Sequence, residues 1–101
     1  MHYTYILKSK SQQGAIYIGS THDLEIRLAR HNDPANKKYS RRYAPWDVET
    51  YIGFQTIEEA ERFEKYLKSN SGKAFMRKRL LSGNFKESLK KFNNARGKSC
   101  A

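Results

Sequence analysis

Apolar and polar positions alternate at the start of the chain and then change to a helical rhythm. Residues 2 to 8, His-Tyr-Thr-Tyr-Ile-Leu-Lys, are rich in the aromatic and β-branched types that fit a pleated surface, and the polar stretch Ser9 to Gly14 predicts a turn after them. Ala15 to Gly19 then reads as a second strand, paired with the first as an antiparallel hairpin. From Asp23 to Asn32 the spacing becomes helical: Leu24 and Leu28 share a stripe, and Ser20, Thr21 or Asp23 can cap the first turn. Arg27 and His31 fall on much the same side, because residues three, four and seven apart stack along one helix face.

Asn32 to Arg42 contains Pro34, several turn formers and no apolar periodicity, which predicts an exposed loop. A third strand fits Trp46 to Gln55, where Val48, Thr50, Ile52 and Phe54 alternate with Glu49, Tyr51, Gly53 and Gln55, so that one face is buried. Thr56-Ile57-Glu58-Glu59 is a capping-box pattern that starts a helix running to about Asn70. Gly72 is expected to end it, Lys73 to Leu81 to form another helix, and Gly83 to close that one. Phe85, Leu89 and Phe92 predict a last short helix before a frayed end. The order β-β-α-β-α-α gives an α+β domain, a three-stranded mixed or antiparallel sheet covered by helices. Its expected bounds are residues 1–83, with 84–101 as a basic C-terminal extension.

Composition narrows the class. At 101 residues one modest core is expected, and the apolar runs fall far short of the roughly 20 residues needed to span a bilayer, so no membrane is expected as a partner. The first residues lack the basic region and cleavage site of a signal peptide. Cys100 is the only cysteine, which excludes an intrachain disulfide and a cysteine-based zinc site and fits a cytoplasmic setting. Twenty Lys plus Arg against ten Asp plus Glu leave a net charge of +10, a positive field that attracts polyanions and makes nucleic acid the expected partner.

Several residues suit chemistry on such a partner. The apolar stripe of the second helix passes through Ile57, Ala60, Phe63 and Leu67, and Glu64 lies on that same side. A carboxylate facing the domain needs a cation, hydrogen bonds or a metal; an ion pair with Lys68, one turn away, is the ordinary solution. Arg27 supplies a guanidinium able to grip a phosphate through two parallel hydrogen bonds, and His31 an imidazole suited to proton transfer near neutrality. Tyr3, Tyr5 and Tyr17 crowd the first hairpin, where cross-strand packing explains them as well as chemistry does. A tyrosine in a basic pocket can also bind phosphate or serve as a general base. Lys37, Lys38, Tyr39, Arg41 and Arg42 interleave charge with an aromatic ring, which suits backbone phosphates and base stacking.

Together these residues resemble the GIY-YIG nucleases, in particular the small stand-alone domains related to the nuclease part of excision-repair and homing enzymes. Tyr17-Ile18-Gly19 is a literal YIG. Tyr3-Thr4-Tyr5-Ile6-Leu7 stands in place of the GIY strand, with Thr4-Tyr5-Ile6 where Gly-Ile-Tyr would be. Its tyrosine aligns with Tyr5, Tyr3 being the alternative. Arg27 and His31 fit the family's arginine followed four residues later by a histidine or tyrosine, and Ala60, Glu64 and Lys68 match the setting of its metal-binding glutamate. The stretch from Lys68 to Phe75 looks like the segment that follows that glutamate, which adds Lys68 and Lys73 to the expected nucleic-acid contacts. For the family's late asparagine, Asn70 and Asn84 are candidates outside the core set.

The resemblance implies a metal-dependent endonuclease, DNA favoured as substrate and DNA repair as setting, leaving 5′-phosphate and 3′-hydroxyl ends. One Mg²⁺ or Mn²⁺ would be held by Glu64, Arg27 would bind the scissile phosphate, and Tyr5 or Tyr17, with His31 nearby, would activate water. A targeting protein is a further expected partner. The alternatives are a non-catalytic nucleic-acid-binding module on the same fold and a structural RNA-binding protein.

Overall fold

The computed structural model describes residues 1–36 and 42–81. Strands β1 (His2–Ser9) and β2 (Ile16–Thr21) form the hairpin, followed by helix α1 (Leu24–Asn32), strand β3 (Trp46–Phe54) and helices α2 (Ile57–Leu67) and α3 (Asn70–Arg79). The sheet is antiparallel throughout, in the order β2-β1-β3. The α+β order β-β-α-β-α-α is therefore the one expected from the sequence. The predicted helix over Phe85 to Phe92 lies outside the described residues, as do Lys37, Lys38, Tyr39 and Arg41.

The turn between β1 and β2 is built on Ser9. Its hydroxyl accepts from the backbone N–H groups of Ser11 and Gln12 and donates to the Tyr43 carbonyl at 2.6 Å. Gly14 takes the left-handed φ of 92° that the closing turn requires, a conformation glycine adopts without steric cost.

As the central strand, β1 is buried on both faces, with Thr4, Tyr5, Ile6 and Leu7 nearly inaccessible. Ile6, Ile16 and Ile18 pack with Leu67, Met76 and Leu81 beneath α2 and α3. On the other face Tyr5, Leu7, Ala15, Tyr43 and Trp46 pack with Leu24 and Leu28 of α1.

Two expectations change. The alternation in β3 is interrupted: Ile6 pairs with Thr50 but Leu7 pairs with Val48, so the strand carries an extra residue at Glu49. A bulge of this kind reverses the side-chain parity. Val48 consequently joins the α1 face, while Thr50, Ile52 and Phe54 share the parity of Ile6 and Thr4 on the other.

The second change concerns Gly72, which lies inside α3 and ends nothing. Ser69 is the N-cap, its hydroxyl accepting from the Gly72 N–H at 3.1 Å. A Cβ at Gly72 would collide with the Tyr66 carbonyl oxygen and approach Leu67 Cα to 2.7 Å. Glycine is thus needed for the close approach of α3 to the end of α2, and that packing overrides its helix-breaking tendency.

Candidate active site

Each polar side chain on the α1 face is held by the element that carries it. Asp23 caps α1 by accepting from the Ile26 N–H at 3.1 Å, with Arg27 and His31 following along the helix. At the other end Asn32 clips the helix to β3. Its amide donates to the Trp46 carbonyl at 3.1 Å, and its oxygen accepts from the Trp46 N–H at 2.6 Å. This pair of bonds reproduces a sheet ladder with a side chain and fixes the adjacent His31.

His31 is buried, and its Nε2 lies 3.1 Å from the hydroxyl of the fully buried Tyr5. The Tyr17 ring packs 4.4 Å from the imidazole and stacks at 6.4 Å on Tyr5. Three of the expected residues therefore form one cluster. Tyr3 stays outside it, paired edge-on with Tyr51 at 5.7 Å.

The glycine of Tyr17-Ile18-Gly19 has a spatial role. Gly19 pairs with Tyr5 in the ladder, and a Cβ there would lie 2.5 Å from the Tyr5 hydroxyl and 2.7 Å from its ring. Without a side chain at 19 the phenol can lie across the edge strand β2.

Burial pushes the Tyr5 hydroxyl up to about 12, with Tyr17 and Glu64 adding to the rise and the nearby Arg27 guanidinium opposing it. Tyr5 is a neutral phenol at physiological pH. In the tautomer with its proton on Nε2, His31 donates to the phenol oxygen and keeps Nδ1 as the nitrogen able to accept a proton.

Tyr17, Arg27 and His31 line an open cleft of about 340 Å³ together with Arg30, Asp33, Ala35 and Asn36. The cleft therefore carries two arginines where the sequence pattern marks only Arg27. Arg30 lies one turn further along α1, and neither the Leu24 and Leu28 stripe nor the four-residue spacing from Arg27 to His31 points to it. Asn32 is missed too, since an amide that bonds backbone across 14 residues leaves no local signal.

Glu64 comes from α2, on the far side of the sheet. Its Oε2 accepts from Lys68 Nζ at 2.9 Å, the ion pair that the i, i+4 spacing predicts, and Oε1 has no hydrogen-bond partner among the described residues. The carboxylate is partly exposed and close enough to Tyr5 to act on it electrostatically. Thr4 anchors the helix through a buried bond from its hydroxyl to the Ala60 carbonyl at 2.6 Å, one turn before Glu64.

One free carboxylate oxygen fits a hard divalent cation that keeps its waters and takes further oxygens from a phosphate. No cluster of three or more His, Cys, Asp or Glu suited to a protein-only metal cage occurs among the described residues. Of the expected nucleic-acid contacts, Lys68 and Lys73 are half-buried on α2's end and on α3, while Arg42 is exposed with its guanidinium 5.7 Å from the Tyr43 ring centre.

Comparisons with known proteins bear on this arrangement. The family model described as the GIY-YIG catalytic domain matches residues 1–79. A UPF0213 protein of Clostridium perfringens is 37% identical over 68 residues, covering 67% of this chain and 71% of its own. One from Bacillus licheniformis is 38% identical over 72 residues, covering 71% and 72%. The solution NMR structure of a UPF0213 protein from Bacillus halodurans has a TM-score of 0.48 at 29% identity, covering 86% of this chain and 93% of that one. No described helix is long and apolar enough to cross a membrane.

Proposed function

Since the chain belongs to the GIY-YIG catalytic-domain family, we propose that it is a divalent-metal-dependent endonuclease that hydrolyses nucleic-acid phosphodiesters, with DNA the favoured substrate. The products would carry 5′-phosphate and 3′-hydroxyl ends. The observation that carries this reading is the meeting of Tyr5, Tyr17 and His31 beside Arg27 at a basic cleft, with Glu64 in electrostatic reach.

Arg27 binds the scissile phosphate and offsets the negative charge that grows in the transition state, with Arg30 as a second cation at the same cleft. Tyr5, kept neutral by burial, orients the His31 ring. Removal of the proton from water then falls to Tyr17 and His31, whose rings line the cleft. Glu64 offers Oε1 to Mg²⁺ or Mn²⁺, whose chemistry when bound is to stabilise charge on the departing 3′ oxygen. The basic segment Lys37, Lys38, Tyr39, Arg41 and Arg42, with Lys68 and Lys73, would hold flanking phosphates. DNA repair fits this activity, with targeting supplied by a partner protein.

The test is cleavage of labelled single-stranded, duplex and forked DNA by folded wild type and Glu64→Ala, with Mg²⁺, with Mn²⁺ and with chelator. Metal-dependent cutting that disappears in the variant is the expected result. The Lys68–Glu64 ion pair favours a second reading, a binding module whose metal position is filled by an ammonium. Binding without cutting on every substrate, RNA included, would select it.

A further inference from the structure

A second surface lies apart from the cleft. Phe54 at the end of β3, Phe63 and Tyr66 on α2, and Phe75 on α3 form a continuous ladder of rings. Successive centroids are 5.5 Å apart for Phe54 and Phe63, 6.0 Å for Phe63 and Tyr66, and 6.0 Å for Tyr66 and Phe75. Tyr66 and Phe75 are exposed, at 40% and 36%, and a hollow of about 410 Å³ opens beside them between Phe54, Phe63, Tyr66, Glu59 and Arg62. At 3.6 residues per turn Tyr66 and Glu64 point to nearly opposite sides of α2, so this surface is separate from the Glu64 side.

Charge decides what can cover it. Helix α3 carries four cations and no acidic residue, and Lys78 and Arg79, three and four residues after Phe75, share its side of the helix. Glu59 at the rim is engaged by the Thr56 hydroxyl at 3.1 Å and shares the hollow with Arg62. A second copy would bring an equally basic α3 to the same place, and residues 84–101 hold five Lys or Arg against one Glu. Like charge disfavours both self-derived occupants. A polyanion that also presents flat apolar faces satisfies the rings and the cations together.

We propose that this surface binds single-stranded nucleic acid, with unpaired bases stacking on Tyr66 and Phe75 and the backbone phosphates against α3. It rests on the nuclease reading and extends it, giving the substrate an unpaired segment held away from the cleft. Duplex bases are already stacked on one another and cannot use these rings, so the surface selects single strands and the frayed or forked ends of duplexes.

The experiment is polarisation binding of the full chain to labelled oligothymidylate and to a blunt duplex of equal length, in chelator so that nothing is cut. Tyr66→Ala combined with Phe75→Ala should weaken single-strand binding roughly tenfold or more while leaving duplex binding within about twofold. No loss, or an equal loss on both ligands, overturns the proposal. Should that variant fail to fold, Tyr66→Trp retains a stacking ring: it should bind oligothymidylate at least as tightly as wild type, with quenching of the emission it adds to that of buried Trp46. Unquenched emission overturns the proposal too. So does a wild-type dimer that the double substitution dissociates, or a stronger single-strand binding on deletion of residues 84–101, which would mark those residues as the cover. Absence of any nucleic-acid binding by wild type would instead remove the functional reading itself.

Discussion

The two faces of β1 come from alternate residues of one strand and are built differently. Towards α2 and α3, Ile6 meets Ile18, Leu67 and Met76 in an aliphatic cluster, beside which the Thr4 hydroxyl is spent on the Ala60 carbonyl. Towards α1, Tyr5 meets Tyr17, His31 and Trp46, rings that carry polar atoms and border an open cleft. A face filled by branched aliphatic side chains buries the most area with no polar group to satisfy, and it supplies stability. A face of phenol and imidazole sacrifices some of that burial for groups that can move protons.

Substitutions should separate the two roles. Leu67→Ala opens a cavity in the aliphatic face and is expected to cost about 2–5 kcal/mol of unfolding free energy, read in urea, while the folded fraction keeps its rate per molecule. Arg27→Ala should do the reverse, lowering kcat on cleavable DNA by about 10²–10³ with the urea midpoint nearly unchanged. A Leu67 variant that stays stable but loses turnover would erase the distinction.

Between these extremes stands Tyr5, a member of the chemical face that is also fully buried. Its hydroxyl is raised from 10.0 to about 12 in the folded chain, so folded molecules hold the proton where unfolded ones release it. The corresponding stability is complete below pH 10 and is lost as pH rises towards 12, by about 3 kcal/mol. Urea titrations at pH 9, 10 and 11 should show wild type losing stability faster than Tyr5→Phe. Parallel losses would mean that the phenol is not the titrating group.

The sequence carried the element order, because the strand and helix periods are distinct, and it carried the cluster, because Arg27 and His31 are four apart on one helix and Tyr17 precedes the glycine that admits Tyr5. What it hid depended on contacts between distant segments. An extra residue at Glu49 sends Val48 to the α1 face, although its spacing from Ile52 and Phe54 put all three together. Gly72 looked like a terminator because the carbonyl it must approach belongs to another helix. Glu59 shows a finer departure: the capping box formed, but its carboxylate accepts from the Thr56 hydroxyl, where the pattern sends it to the backbone N–H.

Thr4 offers the smallest and most discriminating change, since it ties β1 to the helix that carries Glu64. Its hydroxyl donates to the Ala60 carbonyl at 2.6 Å, and valine has the same shape without that donor. The Ala60 carbonyl also faces the α-helical N–H of residue 64, so it keeps a partner in Thr4→Val and the cost should be only about 1 kcal/mol. If the bond also sets the position of Glu64, the variant should need several-fold more Mg²⁺ for half-maximal cutting, with DNA affinity in chelator unchanged. An unaltered metal requirement would make Thr4 a stabilising contact of the aliphatic face alone. A raised one would mean that the quiet face of the sheet also holds Glu64 in register with the Tyr5, Tyr17 and His31 cluster.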